Sequence, residues 1–458
     1  DWAAYNFWKP SRAIADSVID EFPAFSAILG DFHAHHLALP WLLGWLALCV
    51  LAPRLLEAPW KMGRTGIAAL LWVAFGLAAA FANLWNVPLL GFGAALLLLW
   101  AASRGWRAGA AVAALAALLA VAIALGARLL LGDDVQPLPA AEAEGGGLPL
   151  AWLPGELRSS PGQLFAMWGL PLAVLALAGA VFAARDRERG RMAWIFAGWG
   201  LLALAGALSP HWVGPAVWLA VTCWVVGLAA GTGAPLSRAQ ALVLIAGCTV
   251  VLGLEIIFVD DAYAGEYVRY NSYFKLSYPL WALFGVGAFA AARALWRLPR
   301  TPLRAAVRTG VLLVLATTLV YPACAIPARL LTARRGDQPP RRPTLDAVTF
   351  LAHRPPWSEE ARMLDWIRRH VPPGETVAEG IGSGAYTYAG RVASLAGRPI
   401  PLGWAHHERQ WRGLRGHQLA AEREQSVDDL YRAISPEAMR GAAAELGVEW
   451  VLYGIVER

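Results

Sequence analysis

The sequence predicts an all-α polytopic membrane domain of about ten transmembrane helices followed by a small α/β domain, and three observations carry that expectation. Hydrophobic residues make up 57% of the chain and charged residues 16%, well outside the balance of a soluble domain. Apolar runs of about 20 residues recur, the length needed to cross a hydrocarbon core. From about residue 327 the composition turns polar, charged and Pro-rich.

Taken in order, residues 1–36 mix aromatic and polar side chains, with Trp2, Tyr5, Phe7 and Trp8 suited to a membrane interface. Ten spans are then predicted, at 37–53, 65–83, 87–103, 108–131, 166–184, 192–208, 210–230, 239–259, 278–295 and 307–326. Arginine and lysine cluster in alternate connections: Arg54, Lys61 and Arg64; Arg104 and Arg107; Arg185 to Arg191; Arg238; and Arg293 to Arg308. Basic connections of this kind lie on the cytoplasmic side. The net charge of +6 is thereby explained by topology, and nucleic-acid binding is not expected. Residues 1–36, 84–86, 132–165, 209–211, 260–277 and everything after 327 then share the outer face, which places the C-terminal domain outside the plasma membrane.

Residues 132–163, with Asp133, Asp134, Glu142, Glu144 and three consecutive glycines, read as a flexible acidic outer loop. Cys49, Cys223, Cys248 and Cys324 all fall inside apolar runs, so neither a disulfide framework nor a cysteine metal site is suggested. The chain opens on Asp1 with no basic segment and cleavage site before the first apolar run, so no signal peptide is read; a start partway through a longer protein is expected.

A linker at 327–343 leads to a domain at 344–458. Ser358 to His370 is predicted as a helix, with Ser358 as N-cap, acids early, bases late and apolar residues at helical spacing. Thr376 to Glu379 and Val448 to Tyr453 are predicted strands, and Pro436 to Gly447 a second helix. Gly380-Ile-Gly-Ser-Gly384 lacks the spacing of a dinucleotide-binding turn.

Three polar stretches are candidates for chemistry. Asp20, Glu21, Asp31, His33, His35 and His36 stand just before the first apolar run, where partial desolvation can shift acid and imidazole pKa values. Asp31, His33 and His35 could bind a divalent cation. Equally, Asp31 or Glu21 could act as general base on an acceptor hydroxyl with a histidine orienting it, and a solvated capping role is also open. Residues 260–278 combine Arg269, Lys275 and several tyrosines, suited to a phosphate and a sugar or lipid headgroup, or to anchoring the next helix at the interface. Trp404, His407, Glu408, Gln410, Trp411 and Arg412 could bind carbohydrate by stacking and bidentate hydrogen bonds, or could dock the domain.

The run Trp8-Lys-Pro-Ser-Arg12, then Asp20-Glu-Phe-Pro-Ala-Phe-Ser26 and Leu29-Gly-Asp-Phe-His-Ala-His35, resembles the motif of the YYY (Chlor-Arch-YYY) multi-pass membrane proteins of unknown function. Glu255 with Asp261, Arg269-Tyr-Asn271 with Phe274-Lys275, Thr344-Leu-Asp346, Arg391-Val-Ala-Ser394, and Leu402-Gly-Trp404 through His407-Glu408 to Gln410-Trp-Arg-Gly413 extend the resemblance along nearly the whole chain. That family is similar in organisation to the GT-C glycosyltransferases, which use polyprenyl-phosphate-linked sugars and an outer-face acid.

The resemblance implies a GT-C-like fold and a transferase taking a sugar from a polyprenyl phosphate to an acceptor on the outer face. Asp31, Glu21, Asp20 and His33 would be its catalytic residues. His35, Arg269, Tyr270, Asn271, Lys275 and the Trp404 to Arg412 set would bind substrate. A divalent cation on Asp31, His33 and His35 would be its only cofactor. The alternative is a non-enzymatic lipid-glycan carrier or a structural subunit of a membrane complex. Ion-coupled transport fits poorly, because the spans are nearly free of ionisable groups.

Overall fold

The computed structural model describes residues 5–31, 33–57, 62–131, 150–186, 189–230, 234–260, 263, 265–298, 302–336, 346–352, 357–382, 384–385 and 387–457. Residues 132–149 of the acidic loop, residues 337–343 of the predicted linker, Phe32, Asp261 and Thr344 lie outside them, while residues 327–336 of that linker are helical and not an open linker. The chain divides into two compact units, residues 1–130 with 143–329, and residues 131–142 with 330–458.

The first unit is helical. After α1 (Pro23–Leu29) come α2 (Ala34–Glu57), α3 (Met62–Ala82), α4 (Val87–Ala102), α5 (Trp106–Leu131), α6 (Pro161–Asp186), α7 (Arg189–Leu208), α8 (Val213–Ala229), α9 (Arg238–Leu254), α10 (Tyr270–Trp296), α11 (Pro302–Thr318) and α12 (Val320–Gly336). Among the described residues eight helical stretches are long and apolar enough to cross a membrane, and Met192–Leu208 and Arg238–Leu254 are shorter apolar helices. This is a polytopic, multi-pass membrane architecture.

Trp45, Trp168, Trp218 and Phe284 are fully buried at its centre, with Trp218 and Phe284 stacked at 5.3 Å. Helices α9 and α10 pack closely through glycine: a Cβ on Gly287 would fall 2.6 Å from a Leu244 methyl. On α5, Leu118, Val121, Leu125 and Leu129 are exposed, an arrangement suited to lipid and unfavourable in water.

Four expectations about this unit are corrected. The predicted loop 260–277 is helical from Tyr270, so α10 gains two turns beyond the apolar run that marked it. The predicted span 239–259 ends at Leu254; the β-branched stretch Ile257–Val259 forms strand β2, paired antiparallel with β1 (Leu150–Trp152). The predicted span 307–326 lies within one membrane-length stretch, Arg304–Leu331, but its helix is interrupted at Leu319 between α11 and α12, where Pro322 has no N–H to continue the ladder. The first span starts at Ala34, so His35 and His36 belong to its first turn.

The second unit contains α13 (Ala347–Ala352), α14 (Ser358–His370), α15 (Ala405–Arg432) and α16 (Pro436–Leu446), with strands β3 (Val377–Ala378) and β4 (Trp450–Val451) in a parallel pair. Leu364, Ile367, Val371, Val377, Val392 and Leu452 form one core, and Ala378, Val427, Leu430 and Leu446 another. Ser358 is the first helical residue of α14 and Trp357 its N-cap, with no side-chain capping bond. At the second helix it is Ser435 that caps, accepting from the N–H of Ala438.

Candidate functional site

Of the connections expected to share one face, four contact one another: residues 1–36, 132–165, 209–211 and 260–277. The amide of Gln163 donates to the Ile14 carbonyl, Arg269 Nη1 donates to the Leu157 carbonyl at 2.7 Å, and His211 Nδ1 lies 3.0 Å from the Gly155 oxygen. Tyr321 donates to the Phe7 carbonyl, and Tyr278 Oη lies 2.5 Å from His36 Nδ1.

Within this cluster the segment before α2 is folded tightly. Asp20 is buried and accepts from the backbone N–H groups of Ala13 (3.0 Å) and Ile14 (2.6 Å). Phe22 packs on Tyr321 and Trp281, which fixes the start of α1. Gly30, at φ +78, closes α1 in the left-handed region that glycine enters without strain, and the chain turns there toward Asp31.

Asp31, His33, His35, Glu21 and the start of α10 then come together. Asp31 Oδ2 and His33 Nδ1 are 2.7 Å apart, and their side chains keep 30% and 27% exposure. The His33 and His35 rings stack at 5.0 Å, and His35 packs edge-on against Phe274 (4.4 Å) and Tyr278 (4.2 Å). Lys275 Nζ lies 4.3 Å from the Phe274 ring centre.

Glu21 Oε2 and His35 Nε2 are 4.0 Å apart, the outer limit of an ion pair and too far for a hydrogen bond. Glu21 Oε2 and both ring nitrogens of His35 are buried with no hydrogen-bond partner among the described residues. Burial pushes the Glu21 carboxyl up to about 7, Asp31 and Asp20 add to the rise, and the Arg12 and Lys275 charges oppose it. Asp20 is raised to about 6 by burial, against its two backbone hydrogen bonds. Glu21 is therefore a carboxyl that changes protonation near neutrality beside two orphaned imidazole nitrogens. A hydroxyl placed ~2.8 Å from both Glu21 and His35 would bridge them at roughly 90°.

The other candidate residues are placed differently. Arg269 is 2% exposed, and its Nη2 donates to Glu255 Oε1 at 2.9 Å. Glu255 is fully buried and also accepts from Ser159 Oγ (2.8 Å) and the Ser159 N–H (2.9 Å). This knot ties the segment after β1 and the end of α9 to the start of α10. Sequence reasoning met Glu255 only through a resemblance and missed Ser159, 96 positions away, for which spacing offers no signal. Tyr270 packs against Tyr263 and Tyr267, and Asn271 is buried.

Trp404, His407 and Glu408 belong to the second unit, at the start of α15. There Trp404 Nε1 donates to the Ala389 carbonyl at 2.7 Å and its ring meets His407 edge-on. The side chains of Gln410, Trp411 and Arg412 lie outside the described residues. Among the described residues no three His, Cys, Asp or Glu are arranged to hold a metal ion, and a cation taking both Asp31 and His33 would have to replace their mutual hydrogen bond.

The family model described as uncharacterized membrane protein (DUF2298) matches residues 1–284. No curated protein and no solved structure matches the chain.

Proposed function

The chain belongs to the DUF2298 family of uncharacterized membrane proteins, and within it we propose a GT-C-like transferase that moves a sugar from a polyprenyl phosphate to an acceptor hydroxyl on the outer face of the plasma membrane. The observation that carries this reading is the convergence of Asp31, His33, His35 and Glu21 with Lys275 at one membrane end of α2 and α10. Further support comes from the stretches resembling the YYY family, which supply these same residues.

In this reading Asp31, the more accessible carboxylate, takes the proton from the acceptor hydroxyl while His33 fixes its orientation. The acceptor oxygen bonds to the anomeric carbon as the bond from that carbon to the phosphate oxygen breaks. The electron pair leaves with the polyprenyl phosphate, and the Lys275 ammonium stabilises its growing charge. Glu21 and His35 hold the acceptor hydroxyl from the buried side. Arg269, committed to Glu255, braces the start of α10, and Lys275 is the donor-phosphate contact.

Turnover of a panel of polyprenyl-phosphate sugars by the protein in lipid nanodiscs, followed by mass spectrometry, tests the proposal. Release of polyprenyl phosphate that falls at least ~100-fold in both Asp31→Asn and Lys275→Met supports it, in the range that loss of a positioned base produces. Sensitivity to a chelator would add a divalent cation on Asp31 and His33. Retention of an intact lipid-linked sugar without turnover would move the reading to a carrier.

A further inference from the structure

The acid–histidine cluster stands at the start of α2, and the far end of the same helix, about 25 Å on, borders a different kind of space. There the ends of α2 and α4 and the starts of α3 and α5 surround a groove of about 70 Å3. Thr65, Ala68, Ala69 and Trp72 line it from α3, at the spacing of one helix face, and Val112 and Leu115 line it from α5. Apart from the Thr65 hydroxyl this wall is apolar, since the Trp72 Nε1–H is donated to Cys49 Sγ at 3.2 Å.

The groove has a cause in the sequence. In their other halves α3 and α5 touch through glycine: a Cβ on Gly76 would fall 2.9 Å from a Leu119 methyl, and one on Gly126 would collide with the Phe81 ring. At the groove end α3 offers Thr65, Ala68 and Ala69, side chains too short to close on Val112 and Leu115. An empty groove forfeits dispersion contacts on both walls, and apolar walls do not hold water. Thr65, Ala68, Ala69 and Leu115 are only partly buried, so the groove opens sideways in a helix pair that crosses the bilayer. An acyl chain is the filler that a bilayer supplies.

Charge decides which lipid brings that chain. The two connections at this end, 53–64 and 103–107, hold Arg54, Lys61, Arg64, Arg104 and Arg107 against one acid, Glu57. Arg104 and Arg107 are exposed, and their guanidiniums lie 5.5 Å from the ring centres of Trp100 and Trp106, residues of the kind that mark a membrane interface. Arg107 precedes Val112 of the groove wall by about 7.5 Å along α5. Cations therefore stand where the headgroup of a lipid seated in the groove would begin.

We propose that this groove binds an anionic bilayer phospholipid, with one acyl chain between α3 and α5 and the headgroup at Arg104 and Arg107. The lipid completes the packing of the first half of α5, as glycine contacts complete the second. The proposal stands apart from the transferase reading, whose residues lie at the opposite end of α2.

Native mass spectrometry of the chain released from nanodiscs of mixed phosphatidylcholine and phosphatidylglycerol tests this. The wild type should retain phosphatidylglycerol in preference to phosphatidylcholine by at least about tenfold, the effect expected of two cations near a bilayer surface. Arg104→Gln combined with Arg107→Gln, at exposed positions that folding does not need, should bring the preference to within about twofold. Ala68→Leu combined with Ala69→Leu fills the groove and should abolish retention of either lipid, with an unfolding temperature no lower than that of the wild type. Equal retention of the two lipids by the wild type, a preference unchanged in the arginine double variant, or a dimer of the chain in place of retained lipid would overturn the proposal.

Discussion

Glu255 and Glu21 are both buried in the membrane unit, yet both oxygens of Glu255 are bonded, to Arg269 and twice to Ser159, whereas Glu21 Oε2 faces His35 across 4.0 Å and has no hydrogen-bond partner among the described residues. The first arrangement ties distant segments of chain together. The second stores an unsatisfied acid and an unsatisfied base at the end of the helical bundle, a cost that folding alone does not require. A third buried cluster, in the other unit, falls on the Glu255 side. There Arg391 bonds Glu360 (2.9 Å), Glu379 (2.9 Å) and Glu457 (2.8 Å). Backbone N–H groups of Val392, Gly380, Gly454 and Ile455 complete the carboxylates. Burial raises Glu379 to about 7 against the pull of Arg391, so burial alone does not separate the two kinds of site; wiring does.

Variants ranked by expected effect sharpen that distinction. Arg391→Met leaves three buried carboxylates without their cation, and should cost about 5 kcal/mol or more, read as loss of the second unit's protease resistance. Glu255→Gln abandons the Arg269 charge, for about 3 kcal/mol and a lower unfolding temperature. Asp20→Ala orphans the N–H groups of Ala13 and Ile14 and should cost about 2 kcal/mol in the same measurement.

Glu21→Gln should act in the opposite direction. With the folded carboxyl at about 7 and the unfolded one near ~4.3, the wild type is at full relative stability below the lower value. It loses stability as pH rises between the two, and carries the whole penalty above the upper one. Removing the ionisable group should therefore raise stability by about 1–2 kcal/mol at pH 8, less than the full shift because a buried amide also lacks partners, and lower it by about 2 kcal/mol near pH 4, where the acid is already neutral and only the amide's cost remains.

The spans were legible because a bilayer core demands long uninterrupted apolar runs, and so was the density of acids and histidines before α2. The polar flanks were less legible. Residues 270–277 carry no apolar run, so nothing marked them as the first turns of α10, and Tyr278 is brought to His36 from 242 positions away. The knot of Ser159, Glu255 and Arg269 likewise depends on tertiary pairing, which spacing does not encode. In the second unit, α15 mixes acids and bases around its surface, so no apolar stripe announced 28 helical residues. Arg391 stood in sequence as one more arginine of an arginine-rich chain.

The most direct test compares Glu21→Gln and Glu255→Gln by thermal unfolding in the same lipid nanodiscs at pH 8. The two substitutions should move the midpoint in opposite directions, Glu21→Gln above the wild type and Glu255→Gln below it. A fall of similar size in both would contradict the account, because it would make Glu21 a structural brace like Glu255 rather than an acid held ready for chemistry.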